Sequence, residues 1–360
     1  MSSTSLYRQV PLYIQQYSSS KLSNINSFLK TTLCGRIIAN SSIVKIFELN
    51  NINRKLQQKC HNACKISYND MSCVVLIESQ GFYSKKVTNI ELKYPQAFTI
   101  LLHKNLWQFQ VLFRMLYSRQ NYHCIHLNLK ASDCLIQYAK KLAQCVDNVY
   151  LSPRQFNVTS NKKFSILQAE LTCQIHLLKQ SEKWKYYMIL TGQDLPIQTN
   201  YARLQILELL NGSNSVQSID DHQKEMMVIE ENYVKKVSLY RGSLHAVLSR
   251  SFLESLHKSK TAYDILKYLR DTDLSHEYFY AALNHLKEFP GIGQHTKHIL
   301  SHFIADDKQH PFTWTDLPLI EKSGQLFAGE FDQEIDLVGI DCLEQWLNVK
   351  QSNLIDESLN

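Results

Sequence analysis

A chain of 360 residues, 44% apolar and 20% charged, is long enough to bury a full globular core. Its 39 basic and 33 acidic side chains leave a formal charge of +6, a mild excess that suits an anionic ligand but is also common in proteins without one. There is no Lys/Arg cluster of a nucleic-acid patch. With 10 glycines and no GxGxxG or GxxxxGK[ST] run there is no glycine-rich phosphate loop, and no apolar run reaches the roughly 18 residues of a membrane span.

Residues 1–30 lack periodicity and have no apolar core of a signal peptide, so they read as a stalk-like or disordered segment. A folded domain is expected over 31–350, with 351–360 as a tail. Residues 43–60 place Ile43, Ile46, Phe47, Ile52 and Leu56 near one helix face. A short apolar run, Val74 to Ile77, follows Cys73. Residues 97–103 read as a buried strand ending in the polar His103, followed by a helix over 106–117. A second strand, 122–128, ends in Asn128. A helix over about 131–145 and a short strand at 149–151 come next. Phe164, Leu167, Leu171, Ile175 and Leu178 form the apolar stripe of a further helix. Residues 186–190 are a third long buried strand, and 201–210 a helix closed by Asn211-Gly212. The charged stretch 213–236 reads as a loop with an exposed helix. Alternating strands and helices of this kind predict an α/β fold with a mostly parallel sheet.

The third long strand runs into a polar corner, Thr191-Gly192-Gln193-Asp194. Pro196 then excludes a helix, and Thr199-Asn200 supplies the next N-cap. Open α/β sheets bind ligands at such carboxyl ends. The bland alternative is an ordinary turn that Asp194 caps. Nine cysteines are scattered without a CxxC pair. Cys60-His61-x-x-Cys64 lacks the second ligand pair of a zinc site. Three sequons, at Asn40, Asn157 and Asn211, are compatible with glycosylation in a secretory lumen.

The run Thr191 to Asn200 resembles the "cGqDfPIkTn" signature of the core-2/I-branching β-1,6-N-acetylglucosaminyltransferases, whose wider family includes the peptide-O-xylosyltransferases. Other segments resemble that family in order. They include the strand around His103, the strand ending at Asn128, the helix Phe164 to Cys173, Arg241-Gly242-Ser243, Asp271 to Phe279, Phe289-Pro290-Gly291 and Leu326 to Asp332. The resemblance covers about 34–346.

It implies a GT-A-like glycosyltransferase fold over 31–350, a mostly parallel central sheet flanked by helices and stapled by disulfides. The implied pairs are Cys34–Cys342, Cys73–Cys145 and Cys124–Cys173, which leaves Cys60, Cys64 and Cys134 open. The implied reaction is inverting, metal-independent transfer of N-acetylglucosamine from UDP-GlcNAc, in β-1,6 linkage, to a galactosyl/N-acetylgalactosamine O-glycan on a glycoprotein. No cofactor and no nucleic-acid partner are expected. The implied location is the Golgi membrane with a luminal domain, through an N-terminal anchor not present in this sequence.

Glu277 matches the family's general base. Without the resemblance it is the first-turn acid of a helix behind Ser275. His103, Asn128, Asp194 and Ser243 are the expected substrate-contacting residues. The chain also departs from the pattern. Asn128 replaces an Asp, and Glu330 replaces the Lys that meets the diphosphate. The family's Arg between Lys297 and Trp314 has no clear counterpart, with His302 and Lys308 nearby. Lys297, Lys308 and Lys322 are possible substitutes for the missing charge. Asp271-Thr272-Asp273 is a formal DxD, misplaced for a metal site, and reads as a solvated loop. These departures keep open a second reading, a catalytically weak member that binds a glycan or a partner, as well as a xylosyltransferase-like activity.

Overall fold

The computed structural model describes residues 22–41, 44–83, 87–158, 164–219, 225–230, 233–272, 275–292, 300–304 and 310–355. Among these residues ten strands lie in chain order: β1 (Gln96–Leu102), β2 (Tyr122–Leu127), β3 (Val149–Leu151), β4 (Tyr186–Thr191), β5 (Leu195–Pro196), β6 (Glu225–Glu230), β7 (Tyr233–Ser238), β8 (Val247–Ser249), β9 (His302–Phe303) and β10 (Phe327–Ala328). The central sheet has the order β3-β2-β1-β4-β8. Its first four strands are parallel, in registers such as Ile100↔Ile125 and Thr99↔Ile189, and β8 pairs antiparallel to β4. Every residue of β1 and β2 is buried. That explains their continuous apolar runs, since a parallel sheet is covered on both faces.

One face packs Phe98, Ile100 and Leu102 under the helix Leu106–Leu116, of which every residue but Arg114 is buried. Arg114 is tied to Glu344 of the long C-terminal helix Leu337–Ile355 by two contacts, of 2.7 and 2.9 Å. The other face packs Ala97, Leu101 and Tyr187 against the helices Phe164–Gln180 and Ser275–Leu283. The α/β architecture matches the sequence expectation.

Two boundaries are corrected. The segment expected to be a loose stalk already contains a helix, Leu22–Thr31, and Phe28 stacks on Trp346 with ring centroids 5.8 Å apart. Ile25, Phe28 and Leu29 share one face by helical spacing and pack on the core. The expected tail is shortened too, because the last helix runs past residue 350 to Ile355. A third correction concerns 213–236: the charged stretch forms the antiparallel hairpin β6–β7, with Val228↔Lys235 opposed. Its run Met226 to Ile229 is a strand signal that the flanking charges obscured.

The three expected disulfides are present. A fourth, Cys64–Cys134, joins two cysteines that the sequence left open, so Cys60 alone is free. Asn40, Asn157 and Asn211 are all exposed, although Ser42 and Thr159 of the first two sequons lie outside the described residues.

Candidate active site

β1, β2 and β4 end together, and the polar residues that follow them are drawn over the sheet edge. The Asn128 N–H donates to the Leu102 carbonyl at 2.7 Å, and the Gly192 N–H to Leu101 at 2.9 Å. Above this edge lies a cavity of about 390 Å³, whose walls include His103, His126, Asn128, Gln193, Leu244 and Glu330.

His103 and Asn128 both line this cavity. The Asn128 side chain is committed to its own loops: its Nδ2 donates to the Val158 carbonyl at 2.6 Å and its Oδ1 accepts from the Lys130 N–H at 3.0 Å. Beside it, His126 Nε2 accepts the Phe156 N–H at 2.9 Å, and its ring stacks on Phe156. Burial pushes the His126 imidazole down to about 4, so it is neutral near pH 7. Burial also lowers His103, helped by the charge of Lys104.

Asp194 is not a wall of the cavity; it lies behind it. Its carboxylate accepts the Thr191 N–H at 2.6 Å and locks the corner. Burial alone would raise it. The nearby His302, with Nε2 3.4 Å away, and His245 outweigh that and hold Asp194 below the usual carboxylate range. The corner is pinned on its far side by the Gly329–Glu330 segment, where a Cβ on Gly329 would meet Asp194 Oδ1 at 1.9 Å. Ser243 is likewise a support: its Oγ accepts the His245 N–H at 3.1 Å.

Glu277 is set in the first turn of Ser275–Leu283. Arg241 Nε donates to its Oε2 at 2.6 Å, and the Gly242 N–H donates to its carbonyl at 2.9 Å. Glu277 is thus held beside the 241–244 segment, whose Leu244 reaches the cavity. Arg241 is a partner that sequence reasoning missed, since it lies 36 positions upstream.

Glu330 lines the cavity. Burial and the charge of Asp194 raise its carboxyl, against the pull of Lys104. Of the substitute cations, Lys322 is exposed at the end of its own helix, and Lys297 and Lys308 lie outside the described residues, as does Asp273.

Asp194, His245 and His302 carry ligand atoms within 4.8 Å of one another. The two imidazoles, however, stack face to face with centroids 3.6 Å apart and planes at 22°, and Phe327 also stacks on His302. An ion lies in the plane of each imidazole that ligates it, so these stacked rings do not converge on one ion. Burial, reinforced by His302, pushes His245 down to about 3.

The family model for the Core-2/I-Branching enzyme matches residues 96–320, more than half of the chain. The chain belongs to this family. The match holds the sheet edge, the cavity's β-strand walls and the helix of Glu277. A mouse relative, beta-1,3-galactosyl-O-glycosyl-glycoprotein beta-1,6-N-acetylglucosaminyltransferase 4, is 24% identical over 97% of this chain and 88% of its own length. The human N-acetyllactosaminide beta-1,6-N-acetylglucosaminyl-transferase is 27% identical over 73% and 69%. A zebrafish (Danio rerio) relative bearing the same name as the mouse protein is 26% identical over 78% and 76%. The protein is a glycosyltransferase.

Proposed function

We propose that this enzyme transfers N-acetylglucosamine from UDP-GlcNAc to a galactosyl/N-acetylgalactosamine O-glycan on a glycoprotein, forming a β-1,6 linkage with inversion and without a metal ion. Glu277 is the general base. The acceptor hydroxyl oxygen bonds to the anomeric carbon as the bond from that carbon to the β-phosphate oxygen breaks. The hydroxyl proton passes to Glu277, and the electron pair leaves with UDP. A positioned base of this kind contributes roughly 10²–10⁴-fold.

The observation that carries this reading is the double hold on Glu277, by side chain and backbone, from the segment that reaches the cavity. The cavity supplies the donor's place at the carboxyl ends of β1, β2 and β4. The relatives' names support the sugar, the linkage and the acceptor class. Four disulfides support an oxidising compartment, the Golgi lumen for this family. Among the described residues no helix is long and apolar enough to cross a membrane.

One observation favours the second reading, a weak enzyme that mainly binds glycan: Glu330 puts an acid in the wall of the cavity where a diphosphate would lie. UDP release by the purified, oxidised protein decides between them. With UDP-GlcNAc, a galactosyl-β-1,3-N-acetylgalactosamine acceptor and EDTA, turnover is expected in the wild type and not in Glu277→Gln. No turnover with this donor or with UDP-xylose and a peptide acceptor would establish the binding reading.

A further inference from the structure

Among the described residues no Lys or Arg forms part of the cavity wall, and Glu330 adds an acid to it. A diphosphate leaving there develops negative charge that something must meet, and that electrostatic contribution is often the largest in catalysis. A described base beside the cavity is Lys104. It follows His103, a wall residue at the end of β1. Its ammonium contacts Asp332, two residues past the wall residue Glu330, and its charge is felt by both Glu330 and His103.

Lys104 is held at rest by Asp332, with Nζ 2.7 Å from Oδ2. Asp332 has other partners as well. Its Oδ1 also accepts from Asn105 Nδ2 at 2.9 Å and from the Glu334 N–H at 3.0 Å. The acid side chain is 10% exposed and the lysine 37%, so the lysine is the partner with room to move. An ammonium on a four-carbon stem has three donors, of which Asp332 takes one.

We propose that Lys104 is the cation that receives the leaving diphosphate, turning its ammonium from Asp332 into the cavity beside Glu330. This rests on the UDP-sugar reading above. As the anomeric C–O bond breaks, its electron pair passes to the β-phosphate oxygen, and the Lys104 ammonium hydrogen-bonds that oxygen. The lysine keeps its proton; the acceptor's proton goes to Glu277. Asp332 keeps its Oδ1 contacts with Asn105 and Glu334 while the lysine is away.

The test is calorimetric binding of UDP and of uridine, with kcat alongside, for wild type, Lys104→Met, Lys104→Arg and Asp332→Asn. A charge-assisted contact predicts that Lys104→Met weakens UDP by about 10–100-fold and lowers kcat by about 10²-fold, while uridine binds as in wild type. Lys104→Arg recovers part of both, and Asp332→Asn keeps its UDP affinity. Unchanged UDP affinity in Lys104→Met overturns the assignment while leaving Glu277 untouched. Equal losses of UDP and uridine also overturn it, because they mark a lysine that only supports the fold. A wild type that binds neither UDP nor uridine overturns the donor reading itself, and Lys104 with it.

Discussion

Arg241 and Glu277 form a contact of 2.6 Å, and the next residue, Gly242, binds the Glu277 backbone at 2.9 Å. A Cβ on Gly242 would meet the Gln217 carbonyl at 2.1 Å, so the holding segment has no slack. Glu277 is therefore held in place by both its side chain and its backbone. Glu277→Gln keeps the shape and removes the proton acceptor. It is expected to lower kcat by about 10²–10⁴-fold while UDP affinity is unchanged. Steady-state kinetics with calorimetry checks both; a variant with near-normal turnover would remove Glu277 from the mechanism.

Gly329→Ala is expected to be destabilised by about 1–3 kcal/mol, since its new methyl must displace the buried Asp194 carboxylate or the backbone that carries Glu330. Urea unfolding measures the loss. The displaced corner should also weaken UDP binding in the folded variant.

The buried Glu170 carboxyl accepts from Tyr187 Oη and Gln174 Nε2, both at 3.2 Å, yet burial still raises it to about 8. The folded protein then holds a proton that the unfolded chain has lost above about 4.5. Its contribution to stability is fully present below that lower value and is lost as pH rises to about 8, at about 1.4 kcal/mol per pH unit. Glu170→Gln cannot titrate. Unfolding free energies across this window should show the wild type losing ground to Glu170→Gln as pH rises; parallel curves would contradict it.

Replacing both Cys34 and Cys342 by Ser removes a link that closes a separation of 308 residues. The expected cost is about 2–5 kcal/mol. Thermal unfolding under non-reducing conditions reads it, and the double variant should unfold at the lower temperature.

The sheet and the polar edge at its carboxyl end are legible because local signals agree there. Apolar runs stopped at His103, Asn128 and Thr191, and Asp194 stood in a corner before a proline. What escaped was pairing across the chain. Lys104 meets Asp332 from 228 positions away and Arg241 meets Glu277 from 36, and no periodicity encodes either. Cys64–Cys134 was hidden for the same reason. The motif names Asp194 and Ser243 as substrate contacts, but a motif does not distinguish a side chain that lines a cavity from one that braces the wall behind it. The helix at Leu22–Thr31 was missed because its polar Ser and Asn residues mask three apolar positions on one side.

The Cys34–Cys342 bond also decides how the molecule would carry a mechanical load. Tension applied at its two ends would pass from the first helices through one covalent link into the last helix. The strands between would bear none of it, and the cavity at their edge would keep its shape until that sulfur bridge was reduced.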